Sequence, residues 1–247
     1  MLNAEPVVPA GQETLTASWQ ALATLSSGAR LERRAGAIAA VFPNWAPLNN
    51  AILLDAPSSR AAAAAVADLR GLYRDASVDS WALWLPSRRT DFAGPDTVHA
   101  IDGMVRDTTT LVMTVALGHP VRSDDRVVRT SVAAATRATD EPVPAGDLPG
   151  PDAGAAIDAW ALVDDGIAVA AAWSHLRGTD CGLYAVGTVP QWRRRGLARA
   201  LTQHVLSDAW NRGARTATLQ STPMGEPLYR SLGFSAVGRY EEWVAGE

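Results

Sequence analysis

Apolar residues recur along the first half of the chain with two different spacings. Short apolar runs, typical of buried strands, alternate with segments in which apolar residues recur every three to four positions, as on one face of a helix. The predicted elements, in order, are a short amphipathic helix at 15–26, a strand at 49–55, a helix at 58–75 opened by a serine cap, a strand at 81–85, a helix at 97–103 and a strand at 108–115. The unit is therefore strand, helix, strand, helix, strand.

The second half repeats this order. Its predicted elements are a hairpin of strands at 167–176 and 181–189, a long helix whose apolar stripe begins at Leu197 and which ends before Gly213, a strand at 215–220, a helix at 223–232 and a strand at 236–244. Residues 118–154 are rich in Pro, Gly, Asp and Ser and contain one short strand pattern at 126–130. The repeated order indicates an internal duplication. We predict domains at residues 1–119 and 155–247, joined by a linker at 120–154 that carries an edge strand.

Composition and charge narrow the class of protein. The 247 residues are 47% hydrophobic and 19% charged, which favours a globular chain with a sizeable core. The net charge of −4 disfavours a nucleic-acid partner, and no apolar stretch approaches the ~20 residues needed to cross a membrane. With the single Cys181 no intrachain disulfide can form, so a cytoplasmic location is expected. All 22 basic residues are arginine, which excludes a catalytic lysine and the phosphate loop that ends in Gly-Lys.

One segment between a strand and a helix has the features of a phosphate-binding turn. Four arginines, Arg193, Arg194, Arg195 and Arg199, surround Gly196 where the long helix begins. A helix N-terminus presents unpaired N–H groups and partial positive charge, and a glycine lets the backbone approach an anion closely. Because the chain has no Gly-x-Gly sequence, a dinucleotide fingerprint is also excluded.

The pattern Arg193-x-x-Gly196-x-Ala198, preceded by Pro190 and an apolar strand, resembles the acyl-coenzyme A loop of the GNAT N-acetyltransferase superfamily. A second match, Tyr229-x-x-x-Gly233-Phe234, follows at the distance expected in that family. Together they cover residues 165–244, and the first half resembles a degenerate copy in element order alone. The resemblance implies an α/β (α+β) fold of two similar halves, with a mixed, mostly antiparallel sheet flanked by helices.

The resemblance also implies a site. Tyr229 would lie near the coenzyme sulfur and act as the catalytic acid. The implied coenzyme contacts are Val186, Gly187, Thr188, Val189, Arg193, Arg194, Arg195, Gly196, Leu197, Ala198, Arg199 and Thr222. Consecutive side chains of a helix diverge by about 100°, so we expect only some of the arginines to face the ligand. Alternatively, the arginines form a solvated helix start and Tyr229 is a core residue whose hydroxyl bonds to backbone.

The sequence does not identify the general base. No carboxylate lies on the strand before the turn, although many members of the superfamily carry one there. The remaining candidates are Glu226 and Glu241 or Glu242, a chain of water molecules, or Asp91, Asp96 and His99 of the first half. His204 falls on the apolar stripe of the long helix and is expected to be structural. His175 should pair opposite Gly182, roughly 13 to 17 Å from the coenzyme segment at ~3.3 Å per residue.

These observations predict an N-acyltransferase that moves an acetyl group from acetyl-CoA, its co-substrate, directly to the amine of a small molecule or peptide. No metal is implied, neither a membrane nor a nucleic acid is expected as partner, and a homodimer is compatible with the sequence. The main alternative is a non-catalytic module that binds coenzyme A or its acylated form as a sensor. A more distant alternative, a nucleic-acid binder that uses the arginines, is disfavoured by the acidic net charge.

Overall fold

The computed structural model describes residues 11–34, 36–54, 58–95, 98–118, 123–137 and 157–246. The strands are β1 Arg30–Arg34, β2 Ala37–Val41, β3 Asn50–Leu53, β4 Ala82–Ser87, β5 Met104–Ala116, β6 Val127–Thr130, β7 Asp158–Asp164, β8 Ile167–Arg177, β9 Asp180–Thr188, β10 Thr216–Ser221 and β11 Ser235–Ala245. The helices are α1 Gln12–Ala23, α2 Ser59–Asp75, α3 Val132–Arg137, α4 Leu197–Asn211 and α5 Glu226–Ser231.

All of these strands form a single sheet, in the order β1-β2-β3-β4-β11-β5-β10-β9-β8-β7-β6. Two neighbouring pairs, β3 with β4 and β9 with β10, are parallel, and the other paired strands of the described chain are antiparallel. Each parallel pair is joined by a long helix, α2 or α4, as a parallel crossover requires. The predicted mixed, mostly antiparallel sheet of two similar halves is thus confirmed.

The last strand of each half lies between strands of the other half. β11 lies between β4 and β5 and pairs with both, while β5 pairs with β10 along its far edge. The 13 residues of β5 are long enough to serve both neighbours. The domain boundaries at residues 1–119, 120–154 and 155–247 therefore stay a prediction. In space, one continuous sheet contains the strands of both halves.

Helices cover the two faces of the sheet. α2 packs on β2, β3 and β4 around Leu69 and Leu83, and α4 and α5 pack on the same face over β5, β8, β9 and β10. The opposite face is covered by α1 and α3, and α1 crosses from β1 and β2 to β8 and β9. The carboxylate of Asp180 holds the start of α1, since it accepts hydrogen bonds from the hydroxyls of Thr14, Thr216 and Thr218 at 2.7 to 2.8 Å.

Several elements differ from those predicted. The helix at 97–103 is wrong: residues 98–100 have no regular structure, and Ile101 bridges Met104 in a turn at Gly103, whose φ is +65°. His99 is therefore exposed in a loop, while Asp96 and Thr97 lie outside the described residues. α1 begins three residues before the predicted Leu15, and the strands β1, β2 and β7 and the helix α3 were not predicted. The α2 prediction is confirmed, with the Ser58 hydroxyl accepting from the Ala61 N–H.

Candidate active site

A gap opens in the sheet between β9 and β10. The two strands pair in parallel from Asp180 and Thr216 as far as Leu183 and Leu219, and no pairing continues beyond that point. β9 there contains a bulge at Ala185, whose φ is +49°, and its register with β8 shifts at the same place. A bulge bends its strand away from the regular ladder. The two strands therefore separate here, and residues 184–188 face an open gap rather than β10.

The turn that leads into α4 presents a row of unpaired backbone donors beside this gap. A 3₁₀ turn at Pro190–Trp192 is followed by Arg194 and Gly196, both in the left-handed region with φ of +60° and +78°. The backbone N–H groups from Arg194 to Arg199 donate no hydrogen bond to any residue that the structure describes, and the first bond of the helix runs from Ala200 N to Gly196 O. Such a run of N–H groups at a helix N-terminus is an anion-binding arrangement.

The four arginines at this turn have different surroundings. Arg193 donates from Nε to the Thr188 carbonyl at 3.0 Å, so it ties the turn to the open edge of β9. Arg199 donates to the Ser231 hydroxyl at 2.6 Å and links α4 to the end of α5. Arg195 instead stacks over the ring of Trp192, with its guanidinium carbon 4.7 Å from the ring centroid. As expected from the divergence of consecutive side chains, the arginines do not all face one place.

A cavity of about 1010 Å³ joins the gap to this turn. Of the predicted coenzyme contacts, those that line it are Val186, Gly187, Thr188, Arg193, Arg194, Gly196, Leu197, Ala198, Arg199 and Thr222. The two that do not are Val189, whose N–H bonds to Val169 O of β8, and Arg195. A Cβ added at Gly196 would meet no atom within 4 Å, so that position opens onto free space.

Tyr229 also lines the cavity. Its side chain is 7% exposed and packs edge-on against Phe234, with ring centroids 5.8 Å apart. Its hydroxyl makes no hydrogen bond to a described residue, unlike that of the buried Tyr73, which donates to Ala40 O at 3.0 Å. Burial raises the pKa of Tyr229 to about 12, so the phenol is protonated at neutral pH. The backbone bond that a purely structural tyrosine would make is therefore missing within the described chain.

The candidate bases lie away from this cavity. No aspartate, glutamate or histidine that the structure describes is among the residues lining it. Glu226 pairs with Arg230, and Glu241 pairs with the buried Arg239, which also reaches Asp91. Glu242 is half-buried opposite Trp84, and burial, reinforced by Asp107, raises its pKa to about 7.

The histidines are structural in their contacts. His204 Nδ1 accepts from the Asp124 N–H at 3.3 Å, and its ring packs edge-on against Trp160. His175 is paired opposite Gly182, as predicted. Neither residue lines the cavity.

The cavity extends into a chamber that sequence reasoning missed. Four tryptophans line this part, Trp19 on α1, Trp45 before β3, Trp84 on β4 and Trp173 on β8. Three of them belong to the first half, which therefore supplies walls to the same cavity as the turn at Gly196. The sequence feature that hinted at the chamber is the count of nine tryptophans, which does not indicate which of them are in contact.

The described residues contain no group of three or more His, Cys, Asp or Glu side chains arranged to hold a metal ion. Cys181 is buried and unpaired, and burial raises the pKa of its thiol to about 12. None of the helices described is long and apolar enough to cross a membrane.

Comparison with known proteins agrees with this geometry. The acetyltransferase (GNAT) domain family matches residues 157–244. A GCN5-related N-acetyltransferase from Kribbella flavida is 18% identical with a TM-score of 0.63, covering 96% of this chain and 97% of that one. A GNAT-family acetyltransferase from Novosphingobium aromaticivorans is 20% identical with a TM-score of 0.58, covering 98% of each chain. No curated protein matches the chain in sequence.

A tandem GNAT protein from the clavulanic acid biosynthesis pathway is similar over 97% of both chains, with 11% identity and a TM-score of 0.54. Its likeness extends through both halves of the sheet. Residues 157–244 therefore match the acetyltransferase (GNAT) domain family, and the whole chain has the fold of these solved structures.

Proposed function

We propose that this protein transfers an acetyl group from acetyl-CoA to an amine, and that the second half binds the coenzyme. The observation that carries the proposal is the row of unpaired N–H groups from Arg194 to Arg199, which opens onto the cavity between β9 and β10. The diphosphate of the coenzyme would bind these groups, with Arg193 and Arg194 adding positive charge at the cavity wall. The open edge of β9 at Val186, Gly187 and Thr188 would hold the pantetheine chain in the manner of an added strand.

The described residues of the first half show no corresponding row of unpaired donors at the start of α2. The start of α2 is closed by its own Ser58 hydroxyl, which accepts from the Ala61 N–H, whereas α4 begins at a glycine with no side-chain cap. The start of α2 therefore leaves fewer backbone N–H groups unpaired than the start of α4. We propose one coenzyme site per chain.

Acetyl-CoA supplies a thioester carbonyl that an uncharged amine attacks, with the thiolate of the coenzyme as leaving group. The role of Tyr229 is to donate a proton to that sulfur, because its phenol is protonated at neutral pH and lines the cavity without a hydrogen-bond partner among the described residues. Backbone N–H groups of the open β9 edge polarise the carbonyl. The buried and unpaired Cys181 is in keeping with a reducing cytoplasm as the compartment.

A non-catalytic coenzyme sensor is the second candidate, because no described carboxylate or histidine lines the cavity to serve as a base. Release of free thiol from acetyl-CoA in the presence of a panel of amines, with the acetylated product identified by mass, tests the choice. Thiol release that depends on both amine and protein supports the transferase. Tight binding of acetyl-CoA with no thiol released above the protein-free rate would favour the sensor.

A further inference from the structure

The chamber next to the proposed coenzyme site has walls made mainly of tryptophan and aliphatic side chains. Trp45 meets Trp173 edge to face with ring centroids 5.4 Å apart, and Trp19 meets Trp84 in the same way at 5.8 Å. Aliphatic side chains complete the walls, namely Leu15 and Leu22 of α1 with Pro47 and Leu48. Because these residues and the turn at Gly196 line one cavity, a ligand group held among the tryptophans lies next to the proposed coenzyme site.

Some polar side chains of the chamber bond to nearby backbone, whereas Trp84 Nε1 and the Tyr184 hydroxyl are buried at its wall without a hydrogen-bond partner among the described residues. Ser18 donates to Leu15 O, and Thr136 donates to Val132 O. Asn50 is 7% exposed and donates from Nδ2 to Pro47 O at 2.9 Å, which fixes its amide and leaves Oδ1 as an uncharged acceptor at the wall. The chamber can therefore accept a hydrogen bond from an N–H group at Asn50, and its free polar groups are few beside its aromatic and aliphatic walls.

The charges around the cavity are of one sign. Among the described residues that line it, the charged ones are Arg193, Arg194 and Arg199. An ammonium ion would lose its water in an apolar chamber whose described lining residues include no carboxylate to pair with, which is unfavourable. The tryptophans compensate only in part, since each edge-to-face pair covers one ring face that a cation could otherwise use.

From these contacts we propose that the acceptor is an aromatic amine that is uncharged near pH 7, of the aniline type, and that its ring enters the tryptophan chamber. The inference rests on the proposed acetyl transfer. The amine nitrogen forms a bond to the carbonyl carbon, the carbon–sulfur bond breaks, the nitrogen loses one proton and the sulfur gains one. The products are an N-aryl acetamide and coenzyme A. Because the acceptor is uncharged, this reaction does not need a carboxylate base, and none of the described residues lining the cavity supplies one.

A matched pair of acceptors tests the charge requirement. Aniline and benzylamine carry the same ring, but benzylamine is an ammonium ion at pH 7 and aniline is not. We expect kcat/KM for aniline to exceed that for benzylamine by at least about tenfold at pH 7. Between pH 7 and pH 9 the value for benzylamine should rise about tenfold per pH unit with its uncharged fraction, and that for aniline should stay flat. A higher, pH-independent value for benzylamine would overturn the proposal.

A variant tests whether the chamber is the place of recognition. Leu48→Asp puts a carboxylate at a half-buried position on the chamber wall, and should shift the kcat/KM ratio at pH 7 towards benzylamine by about tenfold or more. Leu31→Asp is the matched control, because Leu31 is half-buried on β1 and does not line the cavity. An equal ratio in both variants would overturn the assignment of the ring to this chamber.

Binding measurements separate this inference from the proposed function and do not depend on turnover. Calorimetric titration of acetanilide, the amide product of aniline, into protein saturated with coenzyme A should show binding that weakens in Leu48→Asp and persists in Leu31→Asp. If the chamber instead holds a long acyl chain, hexanoyl-CoA will bind more tightly than acetyl-CoA and acetanilide will not bind, which refutes the inference. If coenzyme A itself fails to bind the wild type, the proposed function fails.

Discussion

Replacing Tyr229 by phenylalanine removes only a hydroxyl that makes no hydrogen bond to the described chain. The change should leave the free energy of unfolding within about 0.5 kcal/mol of wild type, since no buried bond is lost. If the phenol donates a proton to the leaving sulfur, kcat should fall. General-acid contributions are about 10²- to 10⁴-fold, and a thiolate leaves readily, so we expect a loss of about 10²-fold with KM for acetyl-CoA little changed.

Tyr73→Phe is the matched control. The Tyr73 hydroxyl donates to Ala40 O at 3.0 Å in the core of the first half, so its removal should destabilise the protein by about 1 kcal/mol. In a chain of this size that lowers the melting temperature by about 2 to 4 °C, and kcat should stay normal. Melting temperature, kcat and KM are measured on both variants. If Tyr229→Phe is destabilised and turns over normally, as expected of Tyr73→Phe, Tyr229 has no catalytic role.

Two further predictions concern stability. Burial raises the pKa of Glu242 to about 7 from its ordinary 4.5, so ionisation of this carboxyl destabilises the native state by an amount that is absent below about pH 4 and grows as the pH rises to about 7. In urea unfolding, Glu242→Gln should therefore be more stable than wild type by up to about 3 kcal/mol at pH 8 and equal to it at pH 4. An equal gain in stability at both pH values would refute burial of the charge as the cause. Asp180→Ala removes the acceptor for the hydroxyls of Thr14, Thr216 and Thr218 and should lower the free energy of unfolding by about 3 kcal/mol. Acetanilide should also bind more weakly, because α1 carries Leu15 and Trp19 into the chamber. An unchanged free energy of unfolding together with unchanged acetanilide binding would contradict this prediction.

Elements specified by local chemistry could be predicted from the sequence. The cap at Ser58, the glycine at 196 and the apolar stripe of α4 act within a few residues of chain, and each lies where it was expected. The helix at 97–103 failed because Val98 and Ile101 have helical spacing, yet both are buried beside the turn at Gly103 that leads into β5. Apolar spacing over one turn does not distinguish a helix from a loop folded onto the core.

Features that depend on distant pairing could not be predicted. The pattern of β11 identifies a strand but not its place between β4 and β5, because alternation of side chains does not specify a partner. The chamber is a similar case. Trp19 and Trp84 meet through the packing of α1 across the sheet, and Trp45 meets Trp173 from the opposite half of the chain. The turn at Gly196 is local in sequence and could be predicted, whereas the chamber exists only in the folded sheet.

Coenzyme A binding by the turn at Gly196 is tested most directly by calorimetric titration of a pair of glycine variants. Gly196 and Gly166 both have φ of +78° with nothing within 4 Å of an added Cβ, so alanine imposes similar backbone strain at each, about 1 to 2 kcal/mol. Gly166 lies in the turn between β7 and β8 and does not line the cavity. We predict one coenzyme site per chain in the wild type and in Gly166→Ala, and binding at least about tenfold weaker in a folded Gly196→Ala. Equal affinity in the two variants, or two equivalent sites per chain, would contradict the account.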